Sequence, residues 1–268
     1  SFCITGTSTV VPSVSYYVNS SSGSKPLAGT CTGGGGGIAD GDPIQTINST
    51  NCPSGRTMVV DTRDNHSYWI KKLADGNCWM LTNLAYAGGG TNTYGDAVTM
   101  TGNAQYVVPT GANPTTDPTL PSTSTNGTGQ YGYLYNYCAA LGGEPNTRNC
   151  AYLSYPGIAN TITICPSGWR LPQHWTQNDP DNLNNAINGG STSSSTGLRS
   201  TWLAQYGGYY DGGTYSYANQ GSNGWYWVDG ETSGGGVTYV FTFNSGSVST
   251  FQPTAGGNKF AAVRCLAK

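Results

Sequence analysis

The side chains that could do chemistry in this sequence are few and scattered. His66 and His174 are its only histidines. They lie too far apart in the chain to read as a metal-ligand pair, so each is assigned to packing on a strand or loop. Asp179 and Asp181 could form a carboxylate pair. Asp179 has a simpler use, because an acceptor side chain directly before Pro180 suits the cap of a helix whose first position takes proline. Neither a Ser/His/Asp arrangement nor a phosphate-binding glycine loop occurs. Without a nucleophile, a base and a charge-stabilising donor in one constellation there is no case for catalysis, and the chain is read as non-enzymatic.

Eight cysteines stand at Cys3, Cys31, Cys52, Cys78, Cys138, Cys150, Cys165 and Cys265. None falls in the C-x-x-C spacing of a zinc site, so an even set in a chain of this composition is read as disulfides formed in an oxidising compartment. The working assignment is Cys3–Cys31, Cys52–Cys78, Cys138–Cys150 and Cys165–Cys265. The first three close local loops and the last ties the chain's end to its middle, and every other pairing stays open.

Side chains able to hold a ligand are densest between 205 and 229. Tyr206, Tyr209, Tyr210, Tyr215 and Tyr217 are interleaved with glycine, and Asp211, Asn219, Asn223, Trp225 and Asp229 add polar groups. Tyrosine offers a large amphipathic contact at low side-chain entropy, and serine and asparagine adapt their hydrogen bonds around it. These ten residues are the candidate ligand contacts, with Trp225 assigned to the surface and Trp227 to the core. The competing reading is that the rings plug the interior of the fold itself.

Only 9% of the residues are charged and the formal net charge is −2, whereas ordinary domains carry about 25% charged residues. A nucleic-acid partner would need a dense Lys/Arg stripe to neutralise phosphates, and an anionic membrane surface would need much the same. Both are excluded as partners. Aliphatic side chains are scarce, but 19 Tyr and 7 Trp can each remove on the order of 150–250 Å² from water, so the expected core is aromatic.

The elements that must position these residues read as strands and loops. Residues 1–43 form a small N-terminal part, a disulfide-closed strand pair followed by the flexible run Gly33–Gly37, where consecutive glycines cannot hold a regular element cheaply. Residues 44–268 form the main domain. Strands are expected at Thr57–Asp61, Ser67–Leu73 and Cys78–Leu81, and again at Tyr239–Phe243, Ser247–Phe251 and Phe260–Leu266, all bounded by turn formers. Residues 88–130 read as a long loop. One helix is expected, starting at Asp179-Pro180 with Leu183, Ala186 and Ile187 on one face. The tetrapeptide Cys-Pro-Ser-Gly occurs at 52–55 and at 165–168, too short a match to define a repeat.

Five segments taken in order resemble a known family: DTRDNHSYWIKKLADGNCWMLTNL at 61–84, YGYLYNYCAAL at 131–141, ICPSGWRLP at 164–172, SNGWYWVDGE at 222–231 and FAAVRCLAK at 260–268. The chain from about 45 to 268 is similar to the Fibrobacter succinogenes major paralogous (FISUMP) domains of bacterial surface proteins. That resemblance implies an α+β, strand- and loop-rich fold of the C-type lectin-like class, with long loops and disulfides. It implies that first and last strands pair, that a helix packs on the sheet, that Cys265 reaches Cys165, and that the 205–230 loops form the binding end. Glu144-Pro145-Asn146 matches the calcium tripeptide of mannose-type lectins of that class, whose oxygens suit a hard cation. It lies on the wrong side of the long loop and lacks a Trp-Asn-Asp partner, so no metal or other cofactor is expected, and calcium is the cation to test.

The sequence therefore points to an exported, extracellular, cell-surface or pilus-associated adhesin-like or receptor-like module. Its expected partner is a protein or glycan of a host or neighbouring cell. The alternative is a structural pilin-like filament subunit that contacts other subunits, and an enzyme of the formylglycine-generating type ranks third. No stretch approaches the ~20 apolar residues of a membrane span, and Ser1-Phe2-Cys3 lacks the charged and apolar regions of a signal peptide. The expectation is that a signal or anchor segment is absent from this chain and that the chain does not insert into a membrane.

Overall fold

The computed structural model of the chain describes residues 3–7, 15–19, 27–28, 38–86, 106–109, 131–140, 163–174, 177–231, 237–255 and 259–268. The architecture is α+β, rich in strands, with three sheets and short helices among the described residues. The N-terminal part is an antiparallel sheet of β1 (Cys3–Thr7), β2 (Ser15–Asn19) and β3 (Leu27–Ala28) in that order. A strand pair is expected there, and β3 adds a third strand along β2. The expected Cys3–Cys31 and Cys138–Cys150 bridges, the Gly33–Gly37 run and Glu144-Pro145-Asn146 lie outside the residues whose side chains are described.

The main domain begins with a meander of β4 (Thr57–Asp61), β5 (His66–Lys72) and β6 (Cys78–Met80). The first forms over the residues expected, with Thr57, Val59 and Asp61 buried and the intervening side chains half-buried, the period-2 signature of a strand on a core. Asn65 makes the first turn at a φ of 62°, a conformation asparagine tolerates. Next come β7 (Tyr106–Val107), β8 (Leu134–Asn136), the single turn α1 (Tyr137–Ala140) and β9 (Trp169–Arg170). β7 falls inside the stretch read as loop, and its partner β8 places Tyr106 opposite Tyr135.

Two helices follow, α2 (Asp179–Asn188) and α3 (Thr196–Thr201). The expected helix forms, but its cap is different. Asn178 holds the N-cap position, and Asp179 is the first helical residue. The Asp179 carboxylate is buried and accepts from Arg170 Nη1 at 2.6 Å and from the Gln173 N–H at 2.7 Å. A buried carboxylate needs such partners, and Arg170 on β9 supplies the charge.

The remaining strands are β10 (Tyr209–Asp211), β11 (Ser216–Ala218), β12 (Asn223–Glu231), β13 (Val237–Asn244), β14 (Val248–Ala255), β15 (Lys259–Ala262) and β16 (Leu266–Ala267). They build an eight-stranded sheet ordered β11-β10-β15-β12-β13-β14, with β8 alongside β15 and β7 beyond it. A second sheet runs β4-β5-β6-β16-β9. The last strand thus pairs with β6 and β9, not with the domain's first strand β4, which corrects the pairing that the family resemblance implies. Residues 205–230 are also not loops, since most of them lie on β10, β11 and β12.

Two disulfides fix the five-stranded sheet. Cys52 bonds to Cys78 at the start of β6, and Cys165 bonds to Cys265 directly before β16. The two Cys-Pro-Ser-Gly turns therefore have matching positions: each leads toward an edge strand, β4 or β9, and each is tied to the head of one of the neighbouring strands β6 and β16. Four residues do not define a repeat in the sequence, but the sheet uses them as one.

Both sheets feed two aromatic cores, because alternate residues of a strand face opposite sides. Trp225, Trp227, Tyr135, Ala261, Val59, Ile70 and Met80 belong to one core. Tyr226, Val228, Phe241, Phe260 and Trp79 belong to the other, together with Leu183 of α2 and with Leu198 and Trp202 of α3 and its end. Arg264 is fully buried in the second core's wall. It donates to Asn83 Oδ1 at 2.6 Å and to the Trp202 and Leu203 carbonyls at 2.5 and 2.8 Å. Those carbonyls follow the C-terminus of α3, where partial negative charge accumulates. The faces of Trp202 and Tyr226, at 4.8 and 5.3 Å, complete its surroundings.

Candidate ligand-binding site

The densest cluster of candidate residues divides according to its place in the eight-stranded sheet. β10 and β11 form a hairpin at the sheet's end, with Tyr209 opposite Ala218, Tyr210 opposite Tyr217 and Asp211 opposite Ser216. The connection Gly212–Tyr215 is stabilised locally, since Asp211 Oδ1 accepts the Gly213 N–H at 2.8 Å and the hydroxyls of Thr214 and Ser216 lie 2.8 Å apart. Gly208 enters the hairpin at a φ of 64°, and a Cβ there would lie 2.3 Å from the Ala218 carbonyl oxygen. Only glycine fits this approach.

Burial then sorts the ten candidates. Tyr206 is buried, with its hydroxyl 3.0 Å from Ser195 Oγ and the Arg199 guanidinium 4.3 Å above its ring. Tyr210 is fully buried, edge-on to Tyr217 and Phe260 at 4.9 and 5.6 Å. Trp225 is only 8% exposed. These three assignments to an open contact surface are corrected: Tyr210 and Trp225 lie on strands that send their rings into the two cores, and Tyr206, in the segment between α3 and β10, packs on Phe243. Trp227, expected in the core, is there, donating Nε1–H to the Tyr135 carbonyl at 2.6 Å.

Other candidates stay at or near the surface. Tyr215, at the end of the hairpin connection, is 52% exposed, the large apolar side chain left open to solvent among the described residues. Its φ is 55°, a left-handed conformation that costs a bulky L-residue about 1 kcal/mol or more. Tyr217 is half-buried and its hydroxyl donates to the Val108 carbonyl at 2.5 Å, fastening the hairpin to the segment after β7. Burial pushes that hydroxyl's pKa up to about 12. Asn219 is exposed, and the half-buried Asn223 accepts from Ser222 Oγ at 3.0 Å. Asp229 lies six residues along β12 from Asn223, about 20 Å away at the rise of a strand. Its main chain bonds to Pro172 and His174, so it belongs to a different part of the surface.

One residue absent from the sequence reading joins the cluster. Lys259, on β15 opposite Asp211, places Nζ 3.4 Å from Asp211 Oδ2 and 4.3 Å from the Tyr209 ring centroid. Tyr209 in turn contacts Trp225, with centroids 4.4 Å apart. Burial alone would raise the Asp211 carboxyl, but the Gly213 N–H and Lys259 outweigh it and hold it below its ordinary value. No local sequence pattern links Lys259 to the tyrosine cluster, because the contact is created by strand pairing across 48 residues.

The two histidines occupy separate elements. His66 opens β5 with its ring 5.7 Å from Tyr68, and His174 lies 5.0 Å from Tyr239. Desolvation holds His174 below the usual imidazole range. Among the described residues there is no group of three His, Cys, Asp or Glu side chains that could hold a metal, and no helix long and apolar enough to cross a membrane. No protein-family model, curated protein or solved structure matches this chain.

Proposed function

We propose that this chain is an exported, extracellular binding module of FISUMP and C-type lectin-like character, which attaches a cell surface or pilus to a protein or glycan of another cell. The β10–β11 hairpin is its contact element. The observation that carries this reading is Tyr215. A large aromatic side chain stands in solvent on backbone that glycine would adopt without strain, so the folded state gains nothing evident from it, whereas tyrosine at an exposed position is an effective anchor for a partner. Disulfides and a low charge content suit an extracellular setting. The attachment needs no calcium.

The test compares the chain with its Tyr215→Gly variant on an array of glycans and cell-surface proteins, with and without EDTA. Loss of an anchoring aromatic costs roughly 2 kcal/mol, so attachment should weaken at least about tenfold without a fall in melting temperature. Unchanged attachment by Tyr215→Gly removes the hairpin from the contact. Loss in EDTA that calcium restores would replace it with a metal-dependent site.

A further inference from the structure

Most described cations of this charge-poor chain are held by a partner. Arg63 pairs with Asp61, Arg170 with Asp179 and Lys259 with Asp211. Arg264 is buried against carbonyl oxygens, and Arg199 lies over the Tyr206 ring. Arg56, Lys71 and Lys72 differ, with no carboxylate partner among the described residues. Arg56 and Lys72 are exposed and Lys71 is half-buried. Thr57 stands opposite Ile70 in the β4–β5 ladder, so the next position outward sets Arg56 beside Lys71. Side chains so placed have Cβ atoms about 5 Å apart, and like charges there repel. An anion supplied by a partner would relieve that repulsion.

Strand alternation puts Arg56 and Lys71 on the same face as Met58, Val60, Ser67 and Trp69. The opposite face, with Val59, Tyr68 and Ile70, is the one turned to the first core. Met58 stands opposite Trp69 and Val60 opposite Ser67, and all four are half-buried. Across the sheet Lys71 is followed by Trp79, which lies in the second core with Leu183 and Trp202. The second core thus closes over β6, while the β4–β5 side of the same face stays partly open. The outer edge of β4 is already in use. Val60 N–H donates to the Asp42 carbonyl at 2.9 Å, Gly41 N–H to the Met58 carbonyl at 2.8 Å and Met58 N–H to Asp40 Oδ1 at 2.8 Å. A partner cannot add a strand at those positions and must use the side chains of the face.

The face carries a cationic row, Arg56 and Lys71, and an apolar row, Met58 and Trp69, two residues apart and so separated by about 7 Å at the rise of a strand. A carboxylate and an apolar side chain two residues apart on an extended peptide have the same spacing. A sugar fits less well, because hydroxyls laid on Met58 and Val60 would lose water without gaining a partner. The Cys52–Cys78 disulfide ties the turn that leads to Arg56 onto β6, which holds that cation beside the strands. We propose that the β4–β5 face is a docking surface for an acidic segment of a partner protein. Arg56 and Lys71 hold its carboxylate, and its apolar side chain rests on Met58 and Trp69. This surface belongs to the five-stranded sheet and does not depend on the role of the hairpin.

The experiment is NMR titration of the isotope-labelled full chain with the end-blocked peptide Glu-Thr-Leu-Thr-Leu at low ionic strength, where exposed charges act most strongly. The Trp69 indole N–H resonance, identified by its disappearance in Trp69→Phe, should move saturably. The double variant Arg56→Gln/Lys71→Gln should raise the Kd at least about tenfold, equivalent to ~1.4 kcal/mol, with the other indole resonances in place as evidence of an intact fold. Replacing the peptide's glutamate by glutamine should weaken binding to the native chain as much, and this arm decides if the double variant unfolds. Arg56→Glu/Lys71→Glu should prefer the peptide that begins with lysine. No movement of the Trp69 resonance up to about 20 mM peptide, well above the millimolar Kd that −4.1 kcal/mol represents, overturns the docking surface. Equal affinity for the glutamate and glutamine peptides overturns it as well. A response to an oligomer of glucuronate with none to the peptide makes the partner an acidic glycan and overturns the assignment to a protein segment.

Discussion

Trp225-Tyr226-Trp227 on β12 and the tyrosines of the β10–β11 hairpin lie between Tyr209 and Trp227, yet they end in different surroundings. β12 lies between β15 and β13. Both of its faces are covered, and its aromatic side chains are buried on whichever side they point. The hairpin ends the sheet. There Tyr210 is fully buried, Tyr209 and Tyr217 are half-buried and Tyr215 stands in solvent. Position in the sheet, more than residue type, decides whether a ring here builds the core or is available to a partner.

The largest expected effect tests the interior half of that comparison. Trp227→Ala removes a ring that packs 5.1 Å from Tyr137 and satisfies the Tyr135 carbonyl. It should destabilise the domain by about 3–5 kcal/mol, read as a lower denaturant midpoint. A cost below about 1 kcal/mol would mean that β12 is not an interior strand. Tyr210→Ala tests the inner side of the hairpin and should cost about 3 kcal/mol by the same cavity argument, despite its place among the candidate contacts. If Tyr210→Ala instead weakened attachment and left stability alone, the division by burial would fail.

The elements with strong local signals were legible in the sequence. β4 was readable from alternation between turn formers, and the start of α2 from Pro180, because both signals are short-range. α3 was not, since Ser195 to Thr201 consists mostly of serine, threonine and glycine, which have poor helix propensity. Its helix is held by Leu198 and Trp202 packing into the second core. The candidate site was legible as a region and misread in its detail. Aromatic residues in a glycine-rich run carry no local mark of which rings pack inward, whether from a strand, as Tyr210 and Trp225 do, or from the segment before β10, as Tyr206 does, so these three could not be separated from Tyr215. Lys259 had no local signal at all.

Smaller effects probe the hairpin's attachment to the fold. Tyr217→Phe keeps the ring and removes the hydroxyl that reaches Val108, so it should cost about 1 kcal/mol. The folded-state pKa is raised from 10.0 to about 12, so the protonated hydroxyl's contribution is complete below pH 10 and is lost as pH rises toward 12. Burial raises Tyr68 and Tyr135 as well, so tyrosinate absorbance should show one late-titrating group fewer in Tyr217→Phe than in the native chain. The Asp211–Lys259 pair is smaller again, under about 1 kcal/mol for partly exposed charges. Its sign is opposite: the folded carboxyl lies below 3.8, so the contribution is present above that pH and lost as pH falls through the folded value. The stability gap between the native chain and Asp211→Asn should close on acidification below pH 4. A gap that persisted there would have a cause other than the charge.

The smallest expected effect on folding is the most informative for function. Tyr215→Gly deletes a side chain that is 52% exposed and relieves a left-handed φ of 55°. Relief of that strain favours the variant by about 1 kcal/mol. Glycine also gives the unfolded chain more conformational freedom, and that opposes the gain by roughly 0.4–1 kcal/mol. The two terms nearly cancel, so stability should change by no more than about 0.5 kcal/mol, measured by equilibrium denaturation. Tyr215→Asn sharpens the result, because asparagine tolerates the left-handed region while adding less freedom to the unfolded chain, and it should be the more stable of the two. If both variants instead lose several kcal/mol, the Tyr215 ring is covered in solution, and the edge of the sheet behaves like its interior.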